Sequence, residues 1–268
     1  MKILLAEREL DVESGLGLFA LKAQVKPEAD VIIHNGAPTS DDCELRERDC
    51  VVFIRRGEVP SAAELEALMM ARHTPGVHAK VKVATVGIAG LGGLGSAVAV
   101  ALARTGVGCL VLADFDVVEP SNLNRQQYFV DQLGMYKTEA LAATLARINP
   151  HVKLITRAVK LSPQNIPELY GNVDVMVEAF DAADMKTMLL ECFGSRFPET
   201  PIVMASGLAG YEPGGSVSIR RLGARVYVVG DLETDARPGR GLMAPRVGIA
   251  AHMQANAVLR LLLGEEPA

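Results

Sequence analysis

The stretch "VGIAGLGGLGSAVA", residues 86–99, decides the fold. Gly90, Gly92 and Gly95 fit G-x-G-x-x-G between an apolar run and an Ala-rich run of helical character. A strand, a glycine turn and a helix in that order bring backbone N–H groups up to a phosphate, beside the positive end of the helix dipole. By itself the turn reports only that close approach.

From residue 80 onward, strand and helix grammars alternate. The runs "ATVGIAG", "CLVLADFD", "KLITRAV", "VDVMVEAF" and "IVMASGLAG" are apolar on both faces, and stretches such as "GSAVAVALARTG" and "KTEALAATLARIN" separate them. The expected fold class is α/β: a Rossmann-like, mainly parallel sheet with helices on both faces. "SVSIRRLGARVYVVG" reads as a hairpin, and "VGIAAHMQANAVLRLLLG" as a closing amphipathic helix with Gly264 past its end.

Residues 1–58 follow a different pattern. "KILLAERELDV" reads as strand–turn–strand, "LGLFALKAQV" as a helix, and "VIIHNG" and "CVVFIRR" as strands, which makes a small α+β unit. Most of the chain's net charge of −5 lies in this fifth of its length, as expected of a separate module. The join "GEVPSAAELEALMMARHTPG" carries Ser61-x-x-Glu64, a capping box that should open a helix near Ala62, ended by Thr74-Pro75-Gly76. The expected domains are 1–58, a helical linker 59–80, and 81–268.

A pI near 5.6 argues against a nucleic-acid or anionic-membrane partner. No apolar run reaches the ~20 residues needed to span a bilayer, and the N-terminus turns charged too soon for a signal peptide. Four scattered cysteines without a C-x-x-C pair fit a reducing cytoplasm, with buried packing expected for the thiols. The five histidines lack ligand spacing and read as surface or helix-end residues.

The residues beyond the second strand give the glycine turn its meaning. "LADFDVVEP" places Asp114 to accept hydrogen bonds from ribose hydroxyls, with Asp116 close by. "SNLNRQQYF" then packs Asn122, Asn124, Arg125, Gln126 and Gln127 into the loop where open α/β sheets bind ligands. "GMYKTEA" puts Lys137 in the first turn of a helix, and "VEAFDAADMKT" puts Asp181 at a strand end, where a carboxylate can hold Mg²⁺. A nicotinamide needs an apolar slot, whereas this array suits a triphosphate. The set describes an ATP site built for cleavage between the α and β phosphates. Asn122 and Asn124 also read as turn residues, and Asp181 also reads as a helix N-cap.

"GLGGLGSAVA…LADFDVVEPSNLNRQ…GMYKTEAL…INP…EAFDAADMK" resembles the ThiF/MoeB/ubiquitin-activating-enzyme superfamily, closest to its ThiF branch, over roughly residues 71–265. The resemblance implies ATP-dependent adenylation of the C-terminal Gly carboxylate of a ubiquitin-like, ThiS-like sulfur carrier with a Gly-Gly tail, in thiamine thiazole formation. It implies that Gly90, Gly92, Gly93 and Gly95 wrap the phosphates and that Asp114 takes the ribose. Asn122, Arg125 and Lys137 would contact the polyphosphate, with Asp116 and Gln126 beside them, and Asp181 would bind Mg²⁺. Arg72 is the candidate for an arginine reaching the partner subunit's ATP in a homodimer. Residues 1–58 resemble ThiS itself, a β-grasp ubiquitin-like fold, but here the chain runs on through "RRGEVPSAAEL" instead of ending in Gly-Gly.

Relatives carry paired C-x-x-C motifs for zinc, and some carry a cysteine in the loop after the fifth strand. This chain has no C-x-x-C pair and no cysteine at all between Ser206 and Arg246, so the expectation is no zinc, adenylation only, and a separate sulfur donor protein. An ionised carboxylate needs no general base to attack phosphorus, so the absence of a nucleophile motif is consistent. The competing readings are an NAD-dependent oxidoreductase and a non-catalytic scaffold whose β-grasp domain fills the carrier site.

Overall fold

The computed structural model describes the backbone of residues 1–268 and every side chain except those of Ala62 and Ala63. It divides into two compact units, Met1–His78 and Ala79–Ala268.

The first unit is a five-stranded sheet built from β1 (Lys2–Leu5), β2 (Arg8–Asp11), β3 (Val31–His34), β4 (Ala37–Thr39) and β5 (Cys50–Ile54), in the order β2-β1-β5-β3-β4. β1 and β5 run parallel; the other pairs are antiparallel. Helix α1 (Leu18–Val25) buries Leu18 and Leu21 against Ile3, Ile32, Val51 and Phe53 on one face. On the other face Ile33 and Val52 pack with Ala71 and Leu68, so helix α2 (Ala62–Met70) belongs to this unit rather than to a linker. The capping box starts α2 as expected: the Ser61 hydroxyl donates to Glu64 Oε2 at 2.7 Å, and the Ser61 N–H to the same oxygen at 3.2 Å. Short helix α3 (Val77–Val81) crosses the division between the units.

Strands β6 (Thr85–Ala89), β7 (Cys109–Asp114), β8 (Lys153–Ala158), β9 (Val175–Glu178), β10 (Ile202–Ala205), β11 (Ser218–Arg221) and β12 (Val226–Gly230) form the second unit's sheet, ordered β11-β12-β10-β9-β6-β7-β8. Every pairing is parallel except the β11–β12 hairpin. Helices α4 (Gly93–Thr105), α5 (Lys137–Ile148) and α8 (Ala244–Leu263) pack together with the sheet on one side, α8 lying along α4. On the other side, α6 (Ile166–Tyr170) and α7 (Ala183–Arg196) close a core of Ile166, Tyr170, Leu189 and Phe193 over Val111, Met176, Ile202 and Val228. Gly264 caps α8 with φ +83°, the left-handed turn expected of a glycine there.

After β8 the chain crosses to the other side of β6 and enters β9. The order reverses there, and a crevice opens at the carboxyl ends of β6, β7 and β9.

One expectation is corrected. No cysteine is buried: Cys43 is exposed and Cys50, Cys109 and Cys192 are half-buried, because each lies at a strand end, in a helix flank or on a loop. His78 sits at the start of α3, a helix-end position as expected, and is 3% exposed, held by Glu7 Oε2 at 2.8 Å from Nδ1 and Glu66 Oε1 at 3.4 Å from Nε2. Those partners are 71 and 12 residues away in sequence, beyond the reach of local pattern.

Candidate functional site

A cleft of about 600 Å³ occupies the crevice of the second unit. Its floor is the glycine turn. Gly90 has φ +87°, and a Cβ there would stand 2.8 Å from the Ala179 carbonyl; a Cβ on Gly95 would overlap the carbonyl oxygen of Gly90. Gly90 therefore lets β6 turn under β9, and Gly95 lets α4 start against that turn. Gly92 occupies the N-cap of α4 with no side-chain cap, so the helix's first N–H groups face the cleft free of protein side-chain partners.

Asp114 ends β7 with its carboxylate drawn inward. Oδ2 accepts from the Leu91 N–H at 2.7 Å and Oδ1 from the Asp116 N–H at 2.8 Å. Burial pushes its carboxyl above the ordinary value, opposed by the Lys137 charge and those two N–H groups. Lys137, the first residue of α5, is 6% exposed, and its Nζ lies 2.8 Å from Asp116 Oδ2. Arg125 stands half-buried nearby, its guanidinium donating to the Ser121 carbonyl and to Asn124 Oδ1. Gln126 is buried at the cleft wall, and its Oε1 has no hydrogen-bond partner.

Asp181 lines the cleft, exposed, in the bend after β9. Its alternative role does not arise, because Ala182 is the N-cap of α7 and offers no side-chain cap. Among the described residues no group of three His, Cys, Asp or Glu side chains is placed to hold a metal.

The structure thus brings Gly90, Gly92, Gly93, Asp114, Asp116, Arg125, Gln126, Lys137 and Asp181 into one lining. Gly95 and Asn122 are not part of it. Gly95 acts through helix packing, and Asn122 is buried with Oδ1 accepting from the Glu119 N–H at 3.1 Å, the turn role left open by the sequence. Arg72 stands exposed in the first unit, in the turn after α2, and does not line the cleft.

Sequence reasoning missed a buried ion pair in this wall. Glu178 is fully buried, and both its oxygens accept from Lys186 Nζ at 2.9 and 3.0 Å; Oε1 also accepts from the Phe180 N–H. Lys186 donates as well to the Ala205 carbonyl at 2.9 Å, tying the ends of β9 and β10 to α7. Burial raises the Glu178 carboxyl while Lys186 opposes the shift. The only sequence signal was a carboxylate closing an apolar strand with a lysine eight residues on. Lys160, 5.9 Å above the Phe115 ring, adds a further cation to the lining.

Residues 66–268 match the ThiF family, and residues 1–57 match the ThiS-like ubiquitin family. A molybdopterin-synthase adenylyltransferase of Haemophilus influenzae is 33% identical over 192 residues, 69% of this chain and 76% of that protein. The adenylyltransferase and sulfurtransferase UBA4 of Eremothecium gossypii is 30% identical over 241 residues, 82% of this chain and 51% of that protein. Among solved structures, the tRNA N6-threonylcarbamoyladenosine dehydratase TcdA of Escherichia coli in complex with ATP shares the fold. Its TM-score is 0.68 at 22% identity, covering 77% of this chain and 98% of that one.

Proposed function

The chain belongs to the ThiF family, and from that premise we propose that it adenylates the C-terminal Gly carboxylate of a ubiquitin-like sulfur carrier with ATP, releasing pyrophosphate. The carrying observation is the convergence of a glycine turn, an inward-drawn Asp114, Arg125 and the nearly solvent-free Lys137 ammonium in one cleft at the switch point of the sheet. That arrangement suits a nucleoside triphosphate, and relatives named adenylyltransferases are 33% and 31% identical over 192 and 182 residues.

In this reading the free N–H groups of α4 and the glycine turn hold phosphate oxygens, and Asp114 accepts from the ribose hydroxyls. The carrier carboxylate, ionised at neutral pH, attacks the α-phosphorus unaided. The chain's task is to align it and to neutralise charge on the phosphoryl group and the departing pyrophosphate, by Lys137 and Arg125. Asp181, an exposed carboxylate without a protein partner among the described residues, suits Mg²⁺, which takes one or two carboxylates plus substrate phosphates. Bound there, Mg²⁺ would supply charge neutralisation and phosphate orientation.

The finer assignments follow the same premise. The carrier is ThiS-like and serves thiamine thiazole formation, with sulfur supplied by a separate donor protein. The enzyme works as a cytoplasmic homodimer in which Arg72 reaches the partner's ATP. Support for the dimer is a run of exposed apolar side chains next to Arg125: Val117, Phe129, Val130, Leu133, Met135 and Tyr136. Among the described residues no helix is long and apolar enough to cross a membrane.

ATP–pyrophosphate exchange tests the reading. Exchange should require Mg²⁺ and a Gly-Gly-ended carrier, run faster with a thiazole-pathway than with a molybdopterin-pathway carrier, and collapse in Asp181→Ala. Undiminished exchange in that variant would overturn the site.

A further inference from the structure

The cleft has an end wall that the phosphate, ribose and Mg²⁺ assignments leave unused. Two loops build it, residues 206–217 between β10 and β11 and residues 231–243 between β12 and α8. They are bonded to each other: the Leu208 and Ala209 N–H groups both donate to the Thr234 carbonyl, at 3.0 and 3.1 Å, and the Gly210 N–H donates to the Gly241 carbonyl at 2.8 Å. Gly207, at φ +77°, lets the first loop lie against the second, since a Cβ there would overlap Asp231 Oδ1. Toward the cleft the wall presents uncharged side chains and, at Asp235, a carboxylate. The cations of the lining, Arg125, Lys137, Lys160 and Lys186, all come from other segments, so this end does not suit phosphate.

Both loops are shaped from one guanidinium. Arg246, in the first turn of α8, is 2% exposed. Its Nη1 donates to the Glu212 carbonyl and to Ser216 Oγ, each at 3.1 Å, and its Nη2 to Ser216 Oγ at 3.1 Å and to Asp231 Oδ2 at 2.6 Å. Asp231 in turn accepts from the Glu233 and Thr234 N–H groups at 2.8 Å and from the Thr234 hydroxyl at 2.7 Å, and Glu212 Oε1 pairs with Arg240 of the second loop. Stability alone does not call for a buried charge here, because apolar side chains often fill such positions as well or better. The network is also one bond short. Arg246 Nε and Glu212 Oε2 are both buried, neither has a hydrogen-bond partner among the described residues, and they stand 3.9 Å apart. An approach of about 1 Å would join them. It would draw the first loop, with Arg240 attached, toward α8, whose next residue, Val247, lines the cleft.

We propose that Arg246 is a positioning residue: it holds the two loops as one wall for the second substrate and tightens that wall through Glu212 when the substrate binds. This rests on the adenylation reading above, in which the second substrate is the extended C-terminal end of the carrier. In-line displacement at the α-phosphorus brings the attacking carboxylate in opposite the departing pyrophosphate. The glycine turn, Arg125 and Lys137 hold the phosphate side, which leaves the end wall for the incoming chain. The bond between Arg246 Nε and Glu212 Oε2 is made only in the tightened wall, so its free energy goes to the bound carrier and not to the empty protein.

Two measurements on the full chain test this. In pyrophosphate exchange, Arg246→Met should raise KM for a Gly-Gly-ended carrier by about tenfold or more, the worth of one charged hydrogen bond, and leave KM for ATP unchanged. Glu212→Gln, which keeps the other bonds of Arg246, should raise the carrier KM in the same direction by a smaller factor, and it decides the matter if Arg246→Met does not fold. Equal rises in both KM values, or a loss confined to kcat, would make Arg246 a structural residue and overturn the proposal. Hydrogen exchange read by mass spectrometry should show the Leu208, Ala209 and Gly210 amides gaining protection when ATP and carrier bind the wild type, and no such gain in either variant. A gain that survives both substitutions would overturn the tightening. Wild type without pyrophosphate exchange defeats the adenylation reading itself, whereas exchange in wild type with an unshifted carrier KM in both variants defeats the role of Arg246 alone.

Discussion

Lys137 Nζ lies 2.8 Å from Asp116 Oδ2, and the Lys137 N–H donates to the Asp116 carbonyl at 2.9 Å, so one aspartate fixes both ends of the residue. The ammonium is nearly out of solvent, while its partner carboxylate is half in water. The cation is thus held at the cleft by a group that can let it go.

Lys137→Met should lower the rate of pyrophosphate exchange by about 10²–10³-fold, the cost of removing one charge-stabilising donor. Asp116→Ala leaves a buried donor without its partner, which costs about 1–3 kcal/mol. Saturating ATP should recover that loss, because phosphate oxygens replace the carboxylate. Thermal melts with and without ATP read both effects; equal ATP-induced shifts in wild type and Asp116→Ala would separate Lys137 from the nucleotide.

Lys186→Met strands the Glu178 carboxylate in the wall of the cleft. Breaking one side of a buried pair costs about 3–5 kcal/mol, or roughly 10 °C of melting temperature for a unit of this size. Glu178→Met with Lys186→Met removes both charges and should regain most of that loss. A double variant no more stable than Lys186→Met would mean that the lysine acts through the Ala205 carbonyl alone.

Gln126 carries a buried Oε1 that no protein group meets among the described residues, and such an acceptor costs free energy unless a ligand or water donates to it. Gln126→Met should therefore stabilise the protein by about 1 kcal/mol and weaken nucleotide affinity at the same time. Calorimetric melts and an ATP titration give the two signs. Loss of stability without loss of affinity would place the amide in the packing rather than at the ligand.

Asp231 predicts an acid-dependent contribution. Burial works against its charge, but the Glu233 and Thr234 N–H groups, the Thr234 hydroxyl and Arg246 hold its carboxyl at about 2, below its ordinary 3.8. A lowered folded pKa means that the ionised form binds the fold better, so the contribution is complete above pH 4 and lost as pH falls from about 3.8 towards 2. The stability gap between wild type and Asp231→Asn should be flat above pH 4 and close below it. A gap that persists at pH 2 would rule out the charge as its source.

Sequence alone determined what depends on near neighbours. The two-sided apolar strands, the Ser61–Glu64 box, the glycine turn and the Gly264 cap are all written in spacings of a few residues, because backbone hydrogen bonding and steric freedom act over that range. The cleft residues were legible for the same reason: strand ends in a parallel sheet converge at one edge wherever their side chains point. Tertiary structure decided the partners. Asp116 for Lys137, Lys186 for Glu178, Glu7 for His78 and Asp49 for His34 lie 21, 8, 71 and 15 residues apart. A charge finds its counter-charge through desolvation, and only the packed fold fixes which groups leave water together. Cys43 shows the difference most plainly: in sequence one more thiol in an acidic loop, in the fold the thiol facing an imidazole.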